Sequence, residues 1–69
     1  MGKTYKLLTI VGTSPKSFEE AVQNALADAA ASVRNLCWFE VQEMRGSIEK
    51  GAVAEYQIKV AVGFRVEES

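Results

Sequence analysis

From residue 53 to residue 67 the sequence alternates with a period of two. Tyr56, Ile58, Val60, Val62, Phe64 and Val66 fall on one side; Glu55, Gln57, Lys59 and Arg65 fall on the other. Successive side chains of a strand point to opposite faces, so this stretch predicts a β-strand whose apolar face must be covered. Gly63 interrupts the polar face and marks a bend or a close backbone approach. Just before it, Glu49-Lys50-Gly51 predicts a hairpin turn, with Gly51 supplying a positive φ. The partner strand of that hairpin is the run from residue 36 to residue 47.

That partner strand carries the chain's one Trp and one Cys. Phe39 and Val41 are apolar and one pleat apart, so they are expected to face the core. Trp38 is then forced onto the opposite face with Glu40. A Trp on the wet side of a sheet needs a partner, because its large apolar surface is costly to leave in water. Strict alternation beyond Val41 would send Glu43 and Arg45 to the core and Met44 to water. A β-bulge near Gln42 reverses the faces, placing Met44 inside and Arg45 outside.

The earlier part of the chain supplies the cover. Residues 3–11 predict a strand with Tyr5, Leu7, Thr9 and Val11 on one face and Thr4, Lys6, Leu8 and Ile10 on the other. Neither face is cleanly polar, so both are expected to be partly covered, one by a neighbouring subunit. Gly12-Thr13-Ser14-Pro15 predicts a turn into a helix. Ser14 can cap that helix with Pro15 at its first position, or Ser17 with Glu20 can form a capping box. From residue 17 to about residue 35, Phe18, Val22, Ala25, Leu26, Ala29 and Val33 recur at three- and four-residue steps, giving one apolar stripe. The many alanines make a thin helix that a sheet can approach closely, and Asn35 is a C-cap that tolerates the left-handed conformation. Residues 67–69 form a polar tail. The expected fold is α+β, β-α-β-β, with a three-stranded antiparallel sheet packed on one helix. It forms a single domain over residues 1–69.

Length decides how such a fold can be stable. A chain of 69 residues buries only about 60% of its unfolded surface, and an unstapled core of this size supplies roughly 3–5 kcal/mol. One Cys makes no internal disulfide, and with no His there is no metal-ligand cluster. Oligomerisation is therefore expected, and no metal site is. Eight basic and nine acidic residues nearly cancel, with no basic run, which argues against nucleic-acid binding. No apolar run approaches membrane-spanning length, the first residues lack a signal-peptide core, and Lys6 stands where myristoylation wants Ser or Thr. With a free Cys, this reads as a cytoplasmic protein without a membrane partner.

The outer face of the sheet is where binding chemistry can sit. It carries Trp38 and Glu40 with Glu55, Gln57, Lys59 and Arg65, joined by Arg45 if the bulge forms. Trp38 offers a stacking plane, Gln57 offers donors and acceptors for the edge of a heterocycle, and Arg45 and Arg65 are the phosphate candidates. Plainer readings stand beside these. Trp38 can be an interface anchor, Gln57 and Lys59 can be solvated, and the arginines and Glu40 can form ion pairs. Cys37 shares the parity of Phe39 and reads as a small buried residue, since no His is available to activate it. The glycines are isolated, so there is no phosphate loop, and no Ser-His or Cys-His pair exists. The adjacent carboxylates Glu19-Glu20 and Glu67-Glu68 are a weak basis for acid–base work, so no enzymatic role is expected.

Taken in order, Val11-Gly12-Thr13-Ser14, Trp38-Phe39-Glu40-Val41, Arg45-Gly46, Tyr56-Gln57 and Val62-Gly63-Phe64-Arg65 resemble a bacterial dodecin. The resemblance spans essentially the whole chain. No one of these motifs is specific alone; the set in this order is. It implies a hollow homododecamer that binds flavins, FMN or riboflavin- and FAD-type molecules, in storage or protection. Two flavins would stack at a two-fold axis between symmetry-related tryptophans. Carried over, Trp38 is the stacking residue, Gln57 hydrogen-bonds the ring, and Arg45 and Arg65 contact the ring and phosphate. Cys37 stands where the family usually has Asp, at a position that contacts flavin mainly through its backbone. Some relatives also bind coenzyme A near the first strand, which points to Lys3, Tyr5, Lys6, Ser32 and Arg34. Asp28 stands where those relatives carry a basic residue, and a carboxylate there opposes a phosphate.

Overall fold

The computed structural model describes residues 2–66. The polar tail expected at residues 67–69, and the last residue of the expected third strand, lie outside them. The element order is β1 (Tyr5–Ser14), α1 (Phe18–Ser32), β2 (Leu36–Glu49) and β3 (Ala52–Arg65). All three strands form one antiparallel sheet in the order β1-β3-β2, so the strongly alternating strand is the central one.

Strand β1 runs three residues further than its alternation suggested, through Gly12 to Ser14, because these positions continue to pair with Ile58, Gln57 and Tyr56. The helix start is the Ser17 alternative. Ser17 Oγ accepts the Glu20 N–H at 3.0 Å. Ser14 is fully buried and bridges strand to helix. Its hydroxyl donates to Glu20 Oε1 at 2.6 Å and accepts the N–H groups of Lys16 and Ser17 at 2.9 and 3.3 Å. The helix ends at Ser32 rather than near Asn35. Val33 is the cap, and Asn35 takes the left-handed conformation two residues later, at φ 65°.

The helix lies on β1 and β3, with β2 outside its cover. Its alanine side faces the sheet: Ala21, Ala25 and Ala29 are buried, and Ala21 and Ala25 pack with Ile58, Val60 and Val62. Phe18, Val22 and Leu26 flank this contact rather than fill it, joined by Ile10 and Leu36. The approach is close at Gly12, where an added Cβ would stand 2.6 Å from Ala25 Cβ and nearer still to the Ala21 carbonyl oxygen. Phe18 meets Tyr56 edge-on, with ring centroids 5.0 Å apart.

Strand β2 departs from regular pairing at three places: between Leu36 and Trp38, between Val41 and Glu43, and between Ser47 and Ile48. The second is the bulge expected at Gln42. It brings Met44 opposite Ile58 on the helix side and Arg45 opposite Gln57 on the outer side. The first was not foreseen. It makes Cys37 the extra residue, which lets Leu36 pack on the core while Trp38 points outward. Cys37 is accordingly exposed rather than buried, its thiol donating to the Asn35 carbonyl at 3.2 Å. At the hairpin both Lys50 (φ 52°) and Gly51 (φ 79°) are left-handed, the pattern of a two-residue type I′ turn.

Phe39 and Val41 do point to the helix side, but the helix does not reach them. They remain 46% and 42% exposed, with Met44 at 59%. A 15-residue helix is about 22 Å long, whereas the molecule extends 54 Å along its main axis. The tip of the hairpin runs past both the helix and β1, since β1 pairs only as far as Tyr56. A two-stranded ribbon is marginal in water by itself. The apolar side of β2 is therefore a surface that one chain does not cover.

Candidate functional site

Antiparallel partners point to the same face, so the register assigns the outer face row by row. Trp38 lies opposite Gly63, Glu40 opposite Ala61, Glu43 opposite Lys59 and Arg45 opposite Gln57. From the other edge, Tyr5 lies opposite Arg65, Leu7 opposite Gly63 and Thr13 opposite Gln57. No helix covers this side.

Trp38 is 44% exposed. Its indole lies over the backbone of Gly63. A Cβ built on Gly63 would fall 2.6 Å from Trp38 Cδ2 and closer still to Cε2 and Cζ2, which places it against the ring face. The ring of Tyr5 meets the indole edge-on, with centroids 5.1 Å apart and planes at 64°. One face of the indole is thus seated on the sheet and the opposite face is available for stacking. The seat at Gly63 is the close approach that an isolated glycine in a strand signals.

Seven residues on, Arg45 Nε donates to Gln57 Oε1 at 2.8 Å, and Gln57 Nε2 donates to Glu55 Oε1 at 3.0 Å. This chain of hydrogen bonds holds the Gln57 amide in one orientation. A primary amide has two donors and two acceptor lone pairs, so one of each remains for a partner. Gly63 and Gln57 are six residues apart on β3, which at the rise of a strand is about 20 Å. Trp38 and the Gln57 amide of one chain are therefore too far apart to meet the same aromatic ring of a ligand. A site that uses both on one ring takes them from different copies.

Arg65 occupies the Trp38 end of the sheet, and its backbone N–H donates to the Asn35 carbonyl at 3.0 Å. It also lines a cleft of about 380 Å³ with Lys6, Ser32, Val33, Arg34, Asn35, Phe64 and Val66. Three of the five residues considered for coenzyme A, Lys6, Ser32 and Arg34, thus meet at one place. Tyr5 does not join them; it stands against Trp38. Lys3 precedes β1 and is exposed. Asp28 lines the neighbouring grooves along β1 rather than this cleft; it sits one turn before Ser32, about 6 Å along the helix axis. Among the described residues no cluster of three or more His, Cys, Asp or Glu side chains is placed to hold a metal ion. Nor is any helix among them long and apolar enough to cross a membrane.

Comparison with known proteins agrees with this fold. The Dodecin family model matches residues 4–67. Dodecin of Thermus thermophilus is 52% identical over 69 residues, covering all of both chains. The structure of dodecin from Streptomyces coelicolor superposes with a TM-score of 0.94 at 48% identity, covering 97% of this chain and 96% of that one. A more distant relative, 34% identical over 90% of this chain and 87% of its own length, is named calcium dodecin, from Mycobacterium tuberculosis. The fold, an antiparallel sheet backed by one helix with an aromatic residue on its open side, is that of a small binding protein. The chain belongs to the dodecin family.

Proposed function

We propose that this protein sequesters flavin, FMN or a riboflavin- or FAD-type molecule, by stacking it on Trp38 within a cytoplasmic homododecamer built from single domains of residues 1–69. The observation that carries the reading is the half-exposed indole, seated on one face and open on the other. A flat tricyclic ring fits such a plane, and offset stacking contributes roughly 0.5–1.5 kcal/mol beyond the area buried. Gln57, held by Arg45 and Glu55, presents its remaining donor and acceptor to the polar edge of the ring. Arg65 stands where it can meet a phosphate or the ring, and the backbone beside Cys37 borders the stack. The distance of about 20 Å between Trp38 and Gln57 along the sheet supports a site in which a ring stacked on Trp38 of one copy meets Gln57 of another. The uncovered apolar side of β2 supplies a reason for copies to associate.

The flavin, when bound, supplies a photoexcitable ring that accepts electrons. Trp38 would hold that ring in contact with an electron-rich indole, which would quench its fluorescence and photochemistry. A ring covered on both faces, by Trp38 and by a second flavin, would be closed to substrate, which supports binding rather than catalysis. A second reading concerns the cleft of Lys6, Ser32 and Arg34. Lys6 and Arg34 suit the phosphates of coenzyme A, while Asp28 lines the adjoining grooves and shares one of them with Ser32.

Titration of FMN with purified protein tests the principal reading. Quenching of flavin fluorescence is expected to saturate for the natural sequence, and Trp38→Ala is expected to lose both quenching and most of the affinity. Unchanged affinity in that variant would remove the site.

A further inference from the structure

Tyr5 and Trp38 belong to the two outer strands, with β3 between them. Neighbouring strands are about 4.8 Å apart, so the backbones carrying these rings are separated by about 9.6 Å across the sheet and offset by two residues, about 7 Å, along it. The rings nevertheless meet at 5.1 Å. They can do so because the residue of β3 opposite Trp38 is Gly63, whose missing side chain leaves the central strand bare under the indole. Gly63 has no positive φ, so its backbone conformation is open to any residue but proline. What excludes a side chain there is the indole itself.

We propose that Gly63 is the positioning residue that sets the plane of the Trp38 indole, with Tyr5 bracing its edge, and that this pair fixes the width of the stacking slot. The inference rests on the flavin reading above and deepens it. Carbon atoms in contact stand about 3.5–4.0 Å apart, whereas a Cβ at Gly63 would meet Cδ2 at 2.6 Å. Alanine at this position therefore lifts the ring by about 1 Å or turns it to another rotamer. A slot that holds two flat rings between two facing indoles spans three contact gaps, about 10.5 Å. Lifting both indoles by about 1 Å narrows it by about 2 Å, more than half of one layer. The slot then no longer takes two rings. A turned indole removes the stacking plane altogether. A glycine under the tryptophan thus selects for ligands of a defined total thickness.

The test compares the assembled natural protein with Gly63→Ala and Tyr5→Leu. Trp38 is the sole Trp, so near-ultraviolet circular dichroism and indole emission of ligand-free protein report on its placement alone. Gly63→Ala is expected to keep the elution volume, to change the indole signal, and to weaken FMN binding at least tenfold. Tyr5→Leu is expected to change the same signal and weaken binding about threefold. An FMN affinity within twofold of the natural protein in Gly63→Ala, or an unchanged indole signal, overturns the proposal. Should Gly63→Ala fail to assemble, the decay of indole fluorescence anisotropy in the natural, ligand-free protein decides: a seated ring tumbles with the whole particle, and free nanosecond rotation overturns the proposal. If the natural protein itself does not bind FMN, the flavin reading falls, while the ligand-free indole signals still judge whether Gly63 positions Trp38.

Discussion

Gly12→Ala is the sharpest test of how this small core is closed. Gly12 is buried on the helix side of β1, opposite Ile58. An added Cβ would stand 2.6 Å from Ala25 Cβ, with the Ala21 carbonyl oxygen closer still. Ordinary carbon contacts begin near 3.5 Å, so the helix must withdraw by about 1 Å. That movement loosens Ala21 and Ala25 from Ile58 and Val60, which are the centre of the core. Overpacking of this kind costs about 1–3 kcal/mol. Replacing glycine also restricts the unfolded chain, which returns about 0.4–1 kcal/mol. The net expectation is a loss of about 1–2 kcal/mol. At about 4–8 °C per kcal/mol for a domain of this size, the midpoint falls by about 5–15 °C. Thermal unfolding followed by far-ultraviolet circular dichroism measures it. Both proteins must be held at one concentration, because association makes the midpoint concentration-dependent. A Gly12→Ala variant that melts at or above the natural protein refutes the close helix–sheet approach, since a glycine in open space would show only the gain.

Ser17→Ala removes the side chain that caps the helix at 3.0 Å and is expected to lower stability by about 1 kcal/mol, read as a shift of the urea midpoint at unchanged slope. No shift would mean that Ser14 alone satisfies the helix start. Phe39→Asp places a charge on the uncovered side of β2. Light scattering after size exclusion is expected to show a smaller particle than the natural protein forms, and an unchanged mass would clear this face of any role in association.

Much of this could be read along the chain because it depends on near neighbours. Period two placed Val60 and Val62 inside, and period 3.6 placed a helix between the first two strands. The mismatch of faces after Val41 located the bulge at Gln42, because a slip of one residue exchanges core for solvent. The outer-face set of Trp38, Arg45, Gln57 and Arg65 followed from the same parity. Cys37 shows where such reasoning stops. Leu36 and Trp38 have the same parity but opposite faces, and only pairing with Phe64 and Gly63 reveals the extra residue between them. A bulge beside an apolar residue leaves no break in the pattern to read.

What the sequence determined by itself, then, is which residues share a face within each unbroken run of alternation and that one aromatic ring must look outward, since alternation and turn chemistry are local. Tertiary structure alone decided the strand order, and with it that the helix covers β1 and β3 while Phe39, Val41 and Met44 stay uncovered. It also decided that the indole rests on Gly63 and touches Tyr5, and that Gln57 lies too far along the sheet to meet the same ring as Trp38 of its own chain. These are distances between residues remote in sequence. They arise from how strands pair and where a thin helix can sit, which no local pattern encodes.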